Sequence, residues 1–280
     1  MAPKVLESAL VSEDPQSYEN ENVHAVYDEI ASHFSSTRYK PWPVISAFMS
    51  SLSTGYIGLD AGTGNGKYLP LPLSRPTDIF TVGLDRSIKL LQIARTAGGS
   101  QQIREVVWGD VLDHGWRPGV FDYAISIATI HHLATHERRI QAVQRLLESV
   151  SPRHGRILIY VWAIEQDELS KRKVIGDDEA NLQDKGRDVI IPWVLASQKG
   201  AHTDLTEPQV FNRYYHMFAK GELSGLVHDA ARSLDIDVGP PPELNELPSP
   251  KRGVEIIQDD WERSNYYVEL KCWQIPQSSN

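Results

Sequence analysis

Along most of the chain, apolar positions recur with one of two periods. From Glu21 to Phe34 they fall at Val23, Val26, Tyr27, Ile30 and Phe34, the spacing of one helix face. A second helix is predicted over Pro43–Ser51, with proline in its first turn, where its missing N–H costs nothing. Short apolar runs then alternate with helical stretches. YIGLD (56–60), FTVGLD (80–85), IREVVW (103–108), FDYAISI (121–127) and GRILIYVW (155–162) read as buried strands, with helices over 88–96 and 137–149. This alternation predicts an α/β fold, a mostly parallel central sheet with helices on both faces. A helix near 223–231 follows, and 254–258 with 265–273 predict a closing antiparallel hairpin.

Three stretches interrupt the pattern. Residues 1–20, with four acids and one lysine, read as a mobile N-terminal tail. Residues 163–210 turn polar and lose periodicity, which predicts an insertion or substrate loop within a single domain spanning 21–275. Residues 240–250 are a proline-rich connection, and no internal repeat is visible.

Composition narrows the function classes. A net charge of −9 argues against a nonspecific nucleic-acid binder, though a local basic patch would survive that total. The single cysteine, Cys272, excludes an intrachain disulfide and a cysteine-cluster zinc site. No apolar run has the length of a signal-peptide core or a membrane span. The expectation is a soluble protein of the cytoplasm, with the nucleus a second compartment, and no membrane partner.

The most specific chemistry lies in GLDAGTGNGKYL (58–69), which sets Asp60, Gly62, Gly64 and Gly66 where the first central strand turns toward a helix. Glycines there let backbone approach a ligand closely. The third glycine comes one residue too early for the dinucleotide pattern, and an acid two residues before the first glycine suits an amine-bearing, cationic ligand. S-adenosylmethionine fits that description. Asp85 ends the second strand, where such folds grip ribose hydroxyls. Arg86 beside it, Asp110 and Val111 after the third strand, and Ile127 ending the fourth complete the predicted cofactor site. Ordinary turn residues of a nucleotide-binding sheet are the alternative.

YDEIASHFSSTRYKPWP, FDYAISIATIHHLATHERR, LIYVWAIEQ, IPWVLASQ and RYYHMFAKGEL, with the glycine loop, make residues 20 to 275 resemble the eukaryotic tRNA carboxymethyluridine methyltransferases. The resemblance implies a class I, Rossmann-like methyltransferase fold using S-adenosylmethionine. The implied reaction methylates the carboxylate of 5-carboxymethyluridine at the tRNA wobble position. It also implies a heterodimer with a small zinc-binding activator subunit. Thr63 stands where relatives often have cysteine, and the segment between IPWVLASQ and FNRYYHMF is short.

A carboxylate substrate is already ionised at neutral pH and needs no general base. The site then requires a cation, stacking surfaces and a cover. Arg38 can fork onto the carboxylate or the uracil edge, Tyr39 and Trp42 can stack, and Lys40 can meet a phosphate. His131 and His132 follow the fourth strand, one expected to pack and the other to face substrate; no metal is expected between such neighbours. Trp162 is expected to wall the base pocket, and Arg138, opening the next helix, to meet an anion. Arg213, Tyr214, Tyr215 and His216 interleave charge and aromatic surface as unpaired anticodon-loop nucleotides require. The activator is expected on edge strand 103–108. A methyltransferase acting on a small carboxylic acid, and a non-enzymatic S-adenosylmethionine-binding module, are the competing readings.

Overall fold

A computed structural model describes residues 4–38, 40–99, 104–167, 172–174, 186–195, 209–242 and 251–275. The chain opens with strand β1 (Lys4–Ser8) and a short helix α1 (Pro15–Glu19), capped by the Asp14 carboxylate, which accepts from the N–H groups of Gln16 and Ser17. One π-helical turn (Asn20–His24) leads into α2 (Ala25–Thr37), and α3 spans Pro43–Ser51. Next come β2 (Ile57–Ala61), β3 (Phe80–Asp85), α4 (Ile88–Ala94), β4 (Arg104–Trp108) and β5 (Tyr123–Ile127). A 3-10 turn (Ile130–His132), α5 (His136–Ser149) and β6 (Arg156–Trp162) complete the alternating part. Beyond it lie β7 (Arg172–Val174), β8 (Arg187–Leu195), β9 (Gln209–Met217) and α6 (Glu222–Ser233). The chain closes with β10 (Asp237–Val238) and the hairpin β11 (Lys251–Glu262) and β12 (Asn265–Ile275).

The main sheet runs β10-β11-β12-β6-β5-β2-β3-β4. Strands β2 to β6 pair in parallel, and the hairpin closes the sheet antiparallel to β6. Every residue of β5 is buried, as expected for a strand covered on both faces. Helix α5 packs through Ala142, Val143, Leu146 and Leu147, an i, i+1, i+4, i+5 stripe. Strand order reverses between β2 and β5, and that switch point opens a crevice at the carboxyl ends of the strands. Strand β4 lies at the free edge, as the sequence predicts, with Val107 and Trp108 exposed.

Two expectations need correction. The stretch read as a featureless insertion holds β7 and β8. With β9 and β1 they form a second sheet, β7-β1-β8-β9. Pro192 sits inside β8, but β1 pairs with β8 only at Val189 and Ile190, so the proline lies outside that ladder. The expected mobile tail is likewise built into the fold. β1 lies between β7 and β8, and Glu19 at the end of α1 is only 1% exposed. One Glu19 oxygen accepts the Ala134 N–H (2.7 Å) and the Arg138 Nε–H (2.7 Å), and the other accepts Arg138 Nη2–H (2.5 Å). Arg138, expected to meet a substrate anion, therefore already has one.

Removing the Glu19 carboxylate strands a guanidinium and a buried amide. Glu19→Ala should lower the unfolding free energy by about 2–4 kcal/mol in urea titrations. An unchanged midpoint would show that the N-terminal segment does not hold the loop after β5.

Candidate functional site

The crevice at the switch point widens into a cavity of about 750 Å³. Of the predicted residues it brings together Arg38, Lys40 and Trp42; Gly62, Gly64, Asp85 and Arg86; Asp110, Val111 and Ile127; and His131, His132, Trp162 and Arg213. Tyr39 lies outside the described residues.

At one end, the Asp85 carboxylate is fixed by two backbone donors, Gly64 N–H (2.7 Å) and Ser87 N–H (2.8 Å). Burial nonetheless pushes its pKa up. Asp110 accepts the Leu112 N–H (3.0 Å) on one oxygen and pairs with Arg86 through the other (2.7 Å). Gly64 has φ +57, and a Cβ there would meet nothing within 4 Å, so its backbone faces open space. The other glycines act differently. A side chain at Gly62 would strike Thr129, and one at Gly66 would strike Ala94 in α4. Gly66, expected against the cofactor, is instead a helix-packing glycine and does not line the cavity.

Asp60 is also not on the cavity wall. It is fully buried beneath the loop, with Oδ2 accepting the Thr63 hydroxyl (2.7 Å) and Oδ1 lacking a partner. Burial drives its pKa up to about 7. The open backbone at Gly64 and the doubly held Asp85, both on the cavity wall, fit S-adenosylmethionine in chemistry. They offer close backbone approach and an acceptor for ribose hydroxyls, beside the apolar walls of Val111 and Ile127.

The other end is built where the two sheets meet. Phe218 N–H donates to Trp162 O and Ile164 N–H to Phe218 O (both 2.8 Å), and the Trp162 ring stacks on Tyr215 at 4.3 Å and 17°. His131 Nδ1 accepts the Trp162 N–H (3.1 Å). His132 Nδ1–H donates to Tyr214 O (2.9 Å), which leaves Nε2 to accept the Tyr27 hydroxyl (3.0 Å). Burial pushes the His132 pKa down to about 3, so the ring is neutral, with both nitrogens engaged. Arg213 and Tyr215 share one face of β9; Tyr214 takes the other, packing with Val23 and Ala134 and bonding Asp188 (2.6 Å). Tyr214, expected to contact substrate, is thus core, because adjacent strand residues point to opposite faces.

Of the TRYKPWP strip, Arg38, Lys40 and Trp42 line the cavity. Trp42 lies against Tyr160 (4.8 Å) with the Lys67 ammonium over its ring (4.6 Å). Arg38 lies over Trp193 (5.5 Å), and the Asn65 amide donates to its carbonyl (3.1 Å). Tyr215, read with Arg213 as basic-aromatic surface, lines the cavity, whereas sequence reasoning missed Tyr27, Lys67 and Thr129 and the turn Arg263–Asn265, which line it too. Lys67 follows the last loop glycine and was within reach of the motif; burial, then Arg38, lowers its pKa to about 8. Asp85 and Asp110 are the only acids among the described lining residues, leaving the other end cationic.

A methyltransferase domain family matches residues 59–150. A tRNA (carboxymethyluridine(34)-5-O)-methyltransferase of Schizosaccharomyces pombe is 41% identical over 228 residues, covering 78% of this chain and 91% of the relative. The Saccharomyces cerevisiae enzyme of that name is 42% identical over 181 residues, covering 65% of this chain and 59% of its own length. Among solved structures, the 1,6-didemethyltoxoflavin-N1-methyltransferase of Burkholderia thailandensis, holding S-adenosylhomocysteine, aligns with TM-score 0.56 at 14% identity over 97% of this chain and 95% of its own. A Haloferax volcanii methyltransferase in complex with the Trm112 methyltransferase activator aligns with TM-score 0.51 at 15% identity over 89% of this chain and 97% of its own. The likenesses to solved structures establish the fold.

The buried Asp60 carboxyl gives a pH test. Its folded pKa is raised above the unfolded value, so between pH 4 and about 7 the folded state holds the extra proton and stability falls as pH rises. Depressed His24 and His132 act oppositely below pH 6.5, so the difference between variant and wild type is the readout. Asp60→Asn should gain on the order of 1–3 kcal/mol at pH 8 and little at pH 4 in urea unfolding. An equal gain at both pH values would remove the buried charge as the cause.

Proposed function

Since the chain belongs to the tRNA (carboxymethyluridine(34)-5-O)-methyltransferase family, we propose that it esterifies the carboxylate of 5-carboxymethyluridine at the tRNA wobble position with S-adenosylmethionine. One observation carries this reading: a single cavity holds an acid-bearing end suited to an adenosyl group and an acid-free, cationic end suited to a carboxylate. When bound, S-adenosylmethionine supplies a methyl cation equivalent, its S–CH3 electron pair staying on sulfur while a carboxylate lone pair forms the new C–O bond.

The chain's own residues bind, orient and exclude water. No proton has to move, and His132, neutral with both nitrogens engaged, is suited to holding Tyr27 and β9 in place. Asp85 would hold the ribose, Asp110 and Val111 would flank the adenine, and the Trp162–Tyr215 stack would form a wall for the base. Arg38 and Lys40, at the mouth, meet the phosphates of the anticodon loop.

We further propose that a small zinc-binding activator pairs with β4. The edge is free among the described residues, Val107 and Trp108 are exposed, and a solved structure of the same fold holds a complex with the Haloferax volcanii Trm112 methyltransferase activator. The Trp108 indole N–H donates to Arg86 O (2.9 Å), and Arg86 pairs with Asp110, so a partner on this edge also braces the adenine side of the cavity.

Incubation with labelled methyl donor and total tRNA from a strain lacking the activity should label tRNA in base-labile methyl esters. Label appearing only in small carboxylic acids would overturn the tRNA reading. Arg38→Ala should slow tRNA methylation by about tenfold or more with cofactor affinity near wild type. Normal turnover would take Arg38 out of the RNA site. Co-expressed with the activator, the Val106→Asp, Val107→Lys double variant should yield no complex; an intact, active complex would exclude this edge.

A further inference from the structure

Of the cations lining the cavity, Arg213 is the one that the fold buries. It is 3% exposed, whereas Arg38 is half-buried and Lys40 is exposed. Its guanidinium is held over Trp193 (4.6 Å), Tyr215 (5.1 Å) and Tyr27 (5.7 Å). Nη1–H donates to the Tyr27 oxygen (3.3 Å), while Nε–H has no hydrogen-bond partner among the described residues. No carboxylate of the described residues forms an ion pair with it. A buried guanidinium without an anion is costly, and the fold maintains it inside the cavity rather than turned to water.

We propose that Arg213 is the counter-charge for the carboxylate of the substrate's 5-carboxymethyl group, and so the residue that separates this uridine from those with neutral 5-substituents. The inference rests on the function proposed above. The surroundings reserve the guanidinium for that task. Tyr27 gives its proton to His132, so its oxygen accepts both from Arg213 and from the Tyr215 hydroxyl (3.0 Å), and the rings of Trp193, Tyr215 and Tyr27 hold the cation without neutralising it. Water-shielded, the planar fork suits a carboxylate. A carbamoylmethyl group has the same shape but presents an NH2 donor and no charge. The ester product has also lost its charge, so the contact that selects substrate lets product go.

The test is binding, without methyl donor, of the full chain with its co-purified partner to anticodon stem-loops carrying 5-carboxymethyluridine or 5-carbamoylmethyluridine. Wild type should prefer the carboxylate by about ten- to hundredfold. Arg213→Gln should bring the preference to within about threefold of unity, Arg213→Lys should keep part of it, and Arg38→Gln should keep it while weakening both RNAs alike. Preference retained in Arg213→Gln, or collapsed by Arg38→Gln alone, overturns the assignment. So does a wild type that binds both RNAs equally, a result independent of whether any variant folds. Wild type that still methylates carboxymethyluridine in those cases leaves the enzyme reading intact; wild type that neither binds nor methylates either RNA takes both down.

Discussion

The seam between the two sheets governs what the cavity can do. β6 ends at Trp162, and there the chain accepts a second sheet through two backbone hydrogen bonds at Phe218 and one stacked pair of rings, Trp162 on Tyr215. His131 is oriented by the Trp162 amide, and Arg213 reaches the cavity because β9 is held at this angle. The first sheet alone provides a cofactor crevice common to many methyltransferases. The seam adds the half of the cavity lined by His131, Trp162, Arg213 and Tyr215.

Charge is sorted along the cavity. Asp85 and Asp110 lie at one end, and cations crowd the other, on a chain whose net charge is −9. On the proposed function, a polyanionic RNA would be disfavoured over acidic surface and favoured at the cationic lining. Burial reinforces the arrangement, since low dielectric strengthens each interaction that does form.

How much of this was legible in the sequence follows from the range of the signals. The strands of the main sheet stand out because burial on both faces makes them nearly continuous apolar runs between helical stretches, and Asp85 and Asp110 fall at strand ends where the fold puts ligands. The second sheet left little trace. β8 carries Pro192, which reads as a break, and β1 is five residues long in an acidic stretch. Glu19 and Arg138 are each ordinary surface residues until the fold brings 119 positions of separation to contact. Pairing Tyr214 with Arg213 failed for a local reason: composition placed both near RNA, but the period of a strand separates them. Gly66 was misplaced because a glycine needed for helix packing looks the same in sequence as one facing a ligand.

That two-residue period has a consequence for how such a site can change. In β9, Arg213, Tyr215 and Met217 face the seam, while Tyr214 and His216 anchor the reverse side through Asp188 and Glu222. Insertion or deletion of one residue within Gln209–Met217 would exchange the two sets, burying the anchors in the cavity and turning the arginine out. Length in this strand is therefore restricted to even steps, whereas the connection between β8 and β9 is under no such parity rule. Chains of this architecture should differ in length at that connection and vary β9 only by substitution.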